Sequence, residues 1–109
     1  MIDKLRKARI PYSTEAEMQA AVEKFLISEG IEFSREYTLS KKDRIDFLLA
    51  DGTGIECKVK GPAMSIFRQI MRYCQFDRIS RIVLFTSFHM DLPNEINGKE
   101  TFIIKPGVS

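Results

Sequence analysis

The spacing of apolar positions along the chain changes from one segment to the next, and each change marks an element. Over Glu15–Gly30, Met18, Ala21, Val22, Phe25 and Leu26 fall in one sector at about 100° per residue, the period of a helix that buries one side. Pro11 and then Ser13 or Thr14 stand where a cap belongs, Glu17 follows Thr14 at capping-box distance, and Gly30 ends the run. Glu15 projects close to the apolar sector, with Gln19 beside it one turn on, while Glu17 and Lys24 point away.

After Gly30 the period drops to two. Ile31, Phe33, Arg35, Tyr37 and Leu39 share one parity and predict a half-buried strand. The basic turn SKKD leads to RIDFLLA, and DGTG leads to IECKVK, so three strands follow one another as a meander. In the second strand Ile45, Phe47 and Leu49 are expected on one face and Asp46 and Leu48 on the other. In the third, Ile55, Cys57 and Val59 oppose Glu56, Lys58 and Lys60.

Gly61 and Pro62 break the pattern, and MSIFRQIMRYCQF reads as a second helix, capped by Ser65 or begun one turn earlier. Its expected buried face is Ile66, Phe67, Ile70, Met71 and Cys74, with Arg68, Arg72 and Gln75 outward and Gln69 at the boundary. RIVLFTS is apolar enough for a strand buried on both faces, reached by a right-handed parallel crossover. Residues 88–98, with His89, read as loop, and TFIIK as a short final strand before a loose tail. The predicted fold class is α/β, a mixed sheet flanked by helices in the order α-β-β-β-α-β-β, as one domain over residues 1–109.

Size limits what such a fold can carry. A chain of 109 residues and 12.6 kDa should expose about 18,000 Å² unfolded and about 6,000 Å² folded, so the chemistry must sit on the elements that build the core. No apolar stretch approaches a membrane span and the N-terminus lacks the apolar middle of a secretion signal, so a soluble cytosolic protein is expected. Two cysteines, Cys57 and Cys74, and one histidine fall short of a zinc site and read as reduced thiols. The net charge is only +2, but residues 1–10 and 56–81 are basic while residues 11–40 are acidic. Brought together, the basic segments would face phosphate.

The chemistry concentrates in Asp46 of RIDF and in Glu56 and Lys58 of IECK. Glu56 and Lys58 share one strand face by their i,i+2 spacing, whereas Asp46 lies further from the hairpin end than Glu56, so a twist or bulge must close that gap. Two carboxylates and a neighbouring oxygen suit Mg²⁺. The backbone carbonyl of Cys57, between the two functional side chains, is a further candidate ligand, its thiol pointing to the other face. Lys58 would orient a water or offset charge on a phosphate. Arg44, Lys60, Arg68 and Arg72 flank these groups as phosphate contacts that position DNA without reading its sequence.

These words in this order resemble the PD-(D/E)XK nuclease superfamily, and within it the small VRR-NUC-like and Holliday-junction-resolvase-like members. TEAEMQAAVEKFLISEG is similar to the family's opening helix with its acid, RIDFLLADGTGIECKVKG to the strand pair with Asp and E-x-K, and SIFRQIMRYCQF to the following helix that often carries a Gln. The resemblance spans residues 13–87. It implies Asp46 and Glu56 as metal ligands, Lys58 as the catalytic lysine, Glu15 as the helix acid and Gln69 as the supporting glutamine, bonded to Glu15 or to phosphate. Ile45 stands where many members have Pro before the Asp. The implied activity is Mg²⁺-dependent hydrolysis of DNA, with Mn²⁺ able to substitute, on branched or end-containing substrates and in a homodimer. The competing expectation is a noncatalytic DNA-binding or protein-interaction module that keeps a degenerate form of the fold.

Overall fold

The computed structural model describes residues 1–11 and 13–106; the tail expected after the last strand falls, at 107–109, outside them. Helices α1 (Ile2–Lys7) and α2 (Glu15–Ser28) precede strands β1 (Phe33–Thr38), β2 (Arg44–Leu49) and β3 (Thr53–Lys58). Helix α3 (Ala63–Tyr73) and strands β4 (Arg81–Thr86), β5 (Glu95–Ile96) and β6 (Lys99–Ile104) follow. The six strands form one mixed sheet in the order β1-β2-β3-β4-β6-β5. Pairing is antiparallel from β1 to β3, parallel from β3 through β4 to β6, and antiparallel between β5 and β6. The accessible surface of 6,399 Å² matches that expected for a folded chain of this mass.

Helix α2 forms where its caps and periodicity place it. Thr14 Oγ1 accepts the Glu17 N–H at 3.0 Å and the Glu17 carboxylate takes the Ser13 hydroxyl. At the other end Gly30 adopts φ +69, and the bonds Gly30 N–H to Ile27 O and Ile31 N–H to Leu26 O close a Schellman motif. Met18, Val22 and Leu26 are fully buried against Phe47, Ile55, Cys57 and Phe85 on one face of the sheet. Helix α3 covers the opposite face with Ile66, Ile70 and Tyr73.

Several expectations need correction. The order gains two elements: α1, whose Leu5 is fully buried and whose Lys4 reaches Glu29 at 2.9 Å, and β5, inside the segment expected to be loop. Six helical residues offer too few periods to read. Strand β5 pairs with β6 across Asn97–Gly98, whose φ angles of 52 and 77 give the two-residue hairpin turn that an Asn-Gly pair favours. On α3, Met71 is 39% exposed and Tyr73 takes its place in the core, because Ile66, Ile70 and Tyr73 repeat at i, i+4, i+7. Ser65 does not cap the helix, which begins after Pro62.

The largest departure lies in β1 and β2. Neither strand keeps one apolar face. Phe33, Phe47 and Leu49 pack toward α2, whereas Tyr37, Leu39 and Ile45 pack toward α3. The two strands exchange faces together between Arg35 and Tyr37 and between Phe47 and Ile45, while staying in constant register with each other. Glu36, at the point of exchange, has φ +49. Period-two alternation assumes a regular backbone, and a residue in the left-handed region breaks it. The exchange also explains Gly54, a strand residue paired with Leu48. A Cβ there would lie 2.5 Å from Ile45 Cδ1 and 3.1 Å from Ile79 and Ile82.

Candidate active site

The exchange of faces opens the sheet at Asp46. Strands β2 and β3 pair at Leu48–Gly54 and Phe47–Ile55, and one further step would set Asp46 opposite Glu56. The ladder stops there, while β2 remains paired to β1 as far as Arg44. Side chains then replace backbone pairing. The Asp46 N–H donates to Glu56 Oε1 at 3.2 Å, and the Cys57 N–H donates to Asp46 Oδ2 at 2.8 Å. The offset expected between Asp46 and Glu56 is not there: the register sets them opposite each other without a twist or bulge to bring them level, and the fork then joins them.

Burial sets the electrostatics. Glu56 is 3% exposed, and burial together with the neighbouring Asp46 charge raises its pKa to about 7, against the pull of Lys58. Burial also raises Asp46, partly offset by the Cys57 N–H and Lys58. Lys58 Nζ lies 3.3 Å from Glu56 Oε2, as i,i+2 neighbours on one strand face require. The Tyr73 hydroxyl stands 3.0 Å from the Arg44 carbonyl and 3.3 Å from Glu56 Oε1. It thus ties α3 to the splayed end of β2. The Cys57 thiol is buried in the α2-side core and raised by that burial, turned away from Glu56 as alternation predicts.

Glu15 enters from the first turn of α2, its Oε1 3.4 Å from the Val59 N–H just past β3. Gln69 does not bond to Glu15: the two helices cover opposite faces of the sheet. Instead Gln69 lines a groove of about 420 Å³ with Lys58, Lys60, Ser65, Arg68 and Arg72. Three of the four expected phosphate contacts, Lys60, Arg68 and Arg72, thus share one concave surface with Lys58. Arg44 lies outside it, on β2, 3.3 Å from Glu36 with both side chains more than half exposed.

Three participants were absent from the sequence reading. Tyr73 was legible as the i+7 partner of Ile66. Arg35 was legible as a charge at an apolar strand position: its guanidinium lies 4.7 Å over the Phe47 ring and donates to Glu23 at 2.7 Å and Gln19 at 2.9 Å. It is close enough to Asp46 to lower that acid's pKa. Asp43, 5% exposed, accepts Arg72 Nε at 2.9 Å, and nothing in the local sequence distinguishes it from an ordinary turn acid.

The donors at the fork are oxygens, the hard ligands that Mg²⁺ prefers. Burial raises both neighbouring carboxylates, and a divalent cation held between them would favour their charged forms. Among the described residues no three Asp, Glu, His or Cys side chains converge into a ligand cluster, so a third direct protein ligand would be the Cys57 carbonyl, with Glu15 supporting the cation through water. Comparison with protein families, with curated proteins and with solved structures found no match.

Proposed function

We propose that this chain is a Mg²⁺-dependent DNA phosphodiester hydrolase with a restriction-endonuclease-like sheet, selective for branched or end-containing DNA, with Mn²⁺ able to replace Mg²⁺. The observation that carries the reading is the fork itself: Asp46 and Glu56 meet where β2 leaves β3, and Lys58 opens from Glu56 into the basic groove. Asp46 and Glu56, with the Cys57 carbonyl and, through water, Glu15, would hold the cation, which when bound supplies Lewis acidity and a water of lowered pKa.

The chain's own groups do the rest. Lys58 holds its ammonium at the groove mouth, 22% exposed, where it orients the attacking water and offsets charge developing on the phosphate. Arg68 and Gln69 seat the neighbouring phosphates, and Tyr73 and Asp46 fix Glu56 from two sides. With extents of 34 × 30 × 24 Å, one protomer spans about one turn of duplex. Paired cleavage sites in a branched substrate therefore favour a symmetric homodimer. The buried free thiols Cys57 and Cys74 suit a reducing, cytoplasmic setting.

One observation favours the noncatalytic alternative: both Glu56 oxygens already have partners within the protein, Asp46 N–H and Tyr73 at one and Lys58 at the other. The deciding experiment incubates purified protein with labelled linear, nicked and four-way-junction DNA in Mg²⁺, Mn²⁺ or EDTA. Metal-dependent cleavage abolished by EDTA supports the hydrolase. Binding without cleavage across the panel leaves the module.

A further inference from the structure

The turn between β1 and β2 carries Lys41, Lys42 and Arg44 around one acid, and that acid faces inward. Asp43 is 5% exposed and spends its carboxylate on Arg72 of α3 at 2.9 Å. Burying a carboxylate costs free energy unless a charged partner compensates it, and here the partner pins the turn to the helix. The turn is further closed by Leu39 and Ser40 N–H groups donating to the Asp43 carbonyl at 2.8 and 3.1 Å. Ser40 Oγ accepts the N–H groups of Lys42 and Asp43, both at 3.2 Å.

With its acid committed inward, the turn presents its cations outward. Lys41 and Lys42 are exposed and form no ion pair among the described residues. The Arg44–Glu36 pair is too exposed to hold Arg44. Together with Thr38, Ser40 and the largely covered Asp43 they line a concavity of about 350 Å³. Arg72 links the two surfaces: it lines the groove beside Lys58 and bonds Asp43, which borders the turn concavity. The two basic surfaces therefore meet at the Arg72–Asp43 pair.

We propose that the Ser40–Arg44 turn is a second contact for the phosphodiester backbone, held in place by Asp43, so that a nucleic acid bound in the α3 groove continues past Arg72 onto Lys41 and Lys42. The inference rests on DNA as the groove's ligand. A contact fixed by an ion pair whose carboxylate is buried loses little conformational freedom on binding, unlike lysines on a free loop.

The test measures binding of a short fluorescent DNA duplex in EDTA, without hydrolysis, as salt is titrated. Lys41→Ala/Lys42→Ala should lower the slope of log K against log salt by about 2, at roughly 0.9 per phosphate contact, with an unchanged melting temperature. A steep wild-type slope that the double variant leaves intact overturns the turn while sparing DNA as the ligand; no salt-dependent binding by wild type removes both. Asp43→Asn tests the lock by sign. Removing a negative charge from a basic surface should tighten binding by electrostatics alone, whereas loss of the lock weakens it. Tighter binding overturns the lock. If Asp43→Asn does not fold, Asp43→Glu, which keeps the charge and moves the carboxylate out of place for Arg72, should weaken binding, and unchanged affinity overturns the lock.

Discussion

Asp46 and Glu56 hold each other through their backbones: Glu56 Oε1 accepts the Asp46 N–H at 3.2 Å, and Asp46 Oδ2 accepts the N–H of Cys57, the residue after Glu56, at 2.8 Å. Each carboxylate thereby fills the ladder position that the other strand's departure left open. Their charges are brought together as a consequence of how the sheet splits.

Asp46→Asn and Lys58→Ala should each lower DNA cleavage by about 100-fold or more, with much smaller changes in DNA affinity, because the lost interactions act mainly in the transition state. Single-turnover cleavage alongside equilibrium binding separates the two effects. Cleavage at wild-type rates by both variants would remove the hydrolase reading.

Metal-free protein should lose stability as pH rises. Glu56 ionises near 4.5 in the unfolded chain and at about 7 in the fold, so the folded state binds more protons between those values. Its contribution is fully present below 4.5 and is lost as pH climbs through about 7, a change of about 3 kcal/mol, with Asp46 acting in the same direction. Thermal melts in EDTA across this range should show the decline, Glu56→Gln should flatten it, and Mg²⁺ added at the high-pH end should raise the melting temperature by binding the folded state.

Arg68 and Arg72, equivalent by sequence, should behave differently. Arg68→Ala should weaken binding to unrelated DNA sequences alike and reduce the salt slope by about 1, with little change in stability. Arg72→Ala should do this and also cost about 1–3 kcal/mol in urea denaturation, since it leaves the buried Asp43 without its partner. Equal stability for the two variants would place Asp43 in no structural role.

Glu15→Gln should keep the fold, because its contact with the Val59 N–H at 3.4 Å is long and the amide oxygen can still accept it. A drop in cleavage of about 10-fold, with the requirement for Mg²⁺ shifted to higher concentration, would show that its charge supports the metal. An unchanged metal requirement would confine Glu15 to steadying the end of β3.

Sedimentation should show a dimer whose population rises with protein concentration, free or on a four-way junction. A strictly monomeric species in both states would leave the one-turn footprint of a single protomer as the whole binding surface.

What the sequence determined by itself was local. The Thr14 cap, the Gly30 terminus, the parallel crossover through α3, the doubly buried β4 and the shared face of Glu56 and Lys58 each depend on residues within one or two turns or a single strand, where backbone geometry ties spacing to direction. Asn97–Gly98 carried an equally local turn signal, its φ angles being those an Asn-Gly pair favours, although residues 88–98 read as loop. Only the tertiary structure decided the rest. The left-handed Glu36 and the change of face it accompanies are fixed by how two helices on opposite sides claim Tyr37 and Phe47, not by alternation within the strand. That change frees Asp46 from the ladder, lifts Glu56 toward neutrality by burial, and brings Tyr73 and Arg35 to the fork. Separation of Gln69 from Glu15 has the same origin: the sheet lies between their helices, and which side of a sheet a helix covers is a property of the assembled fold.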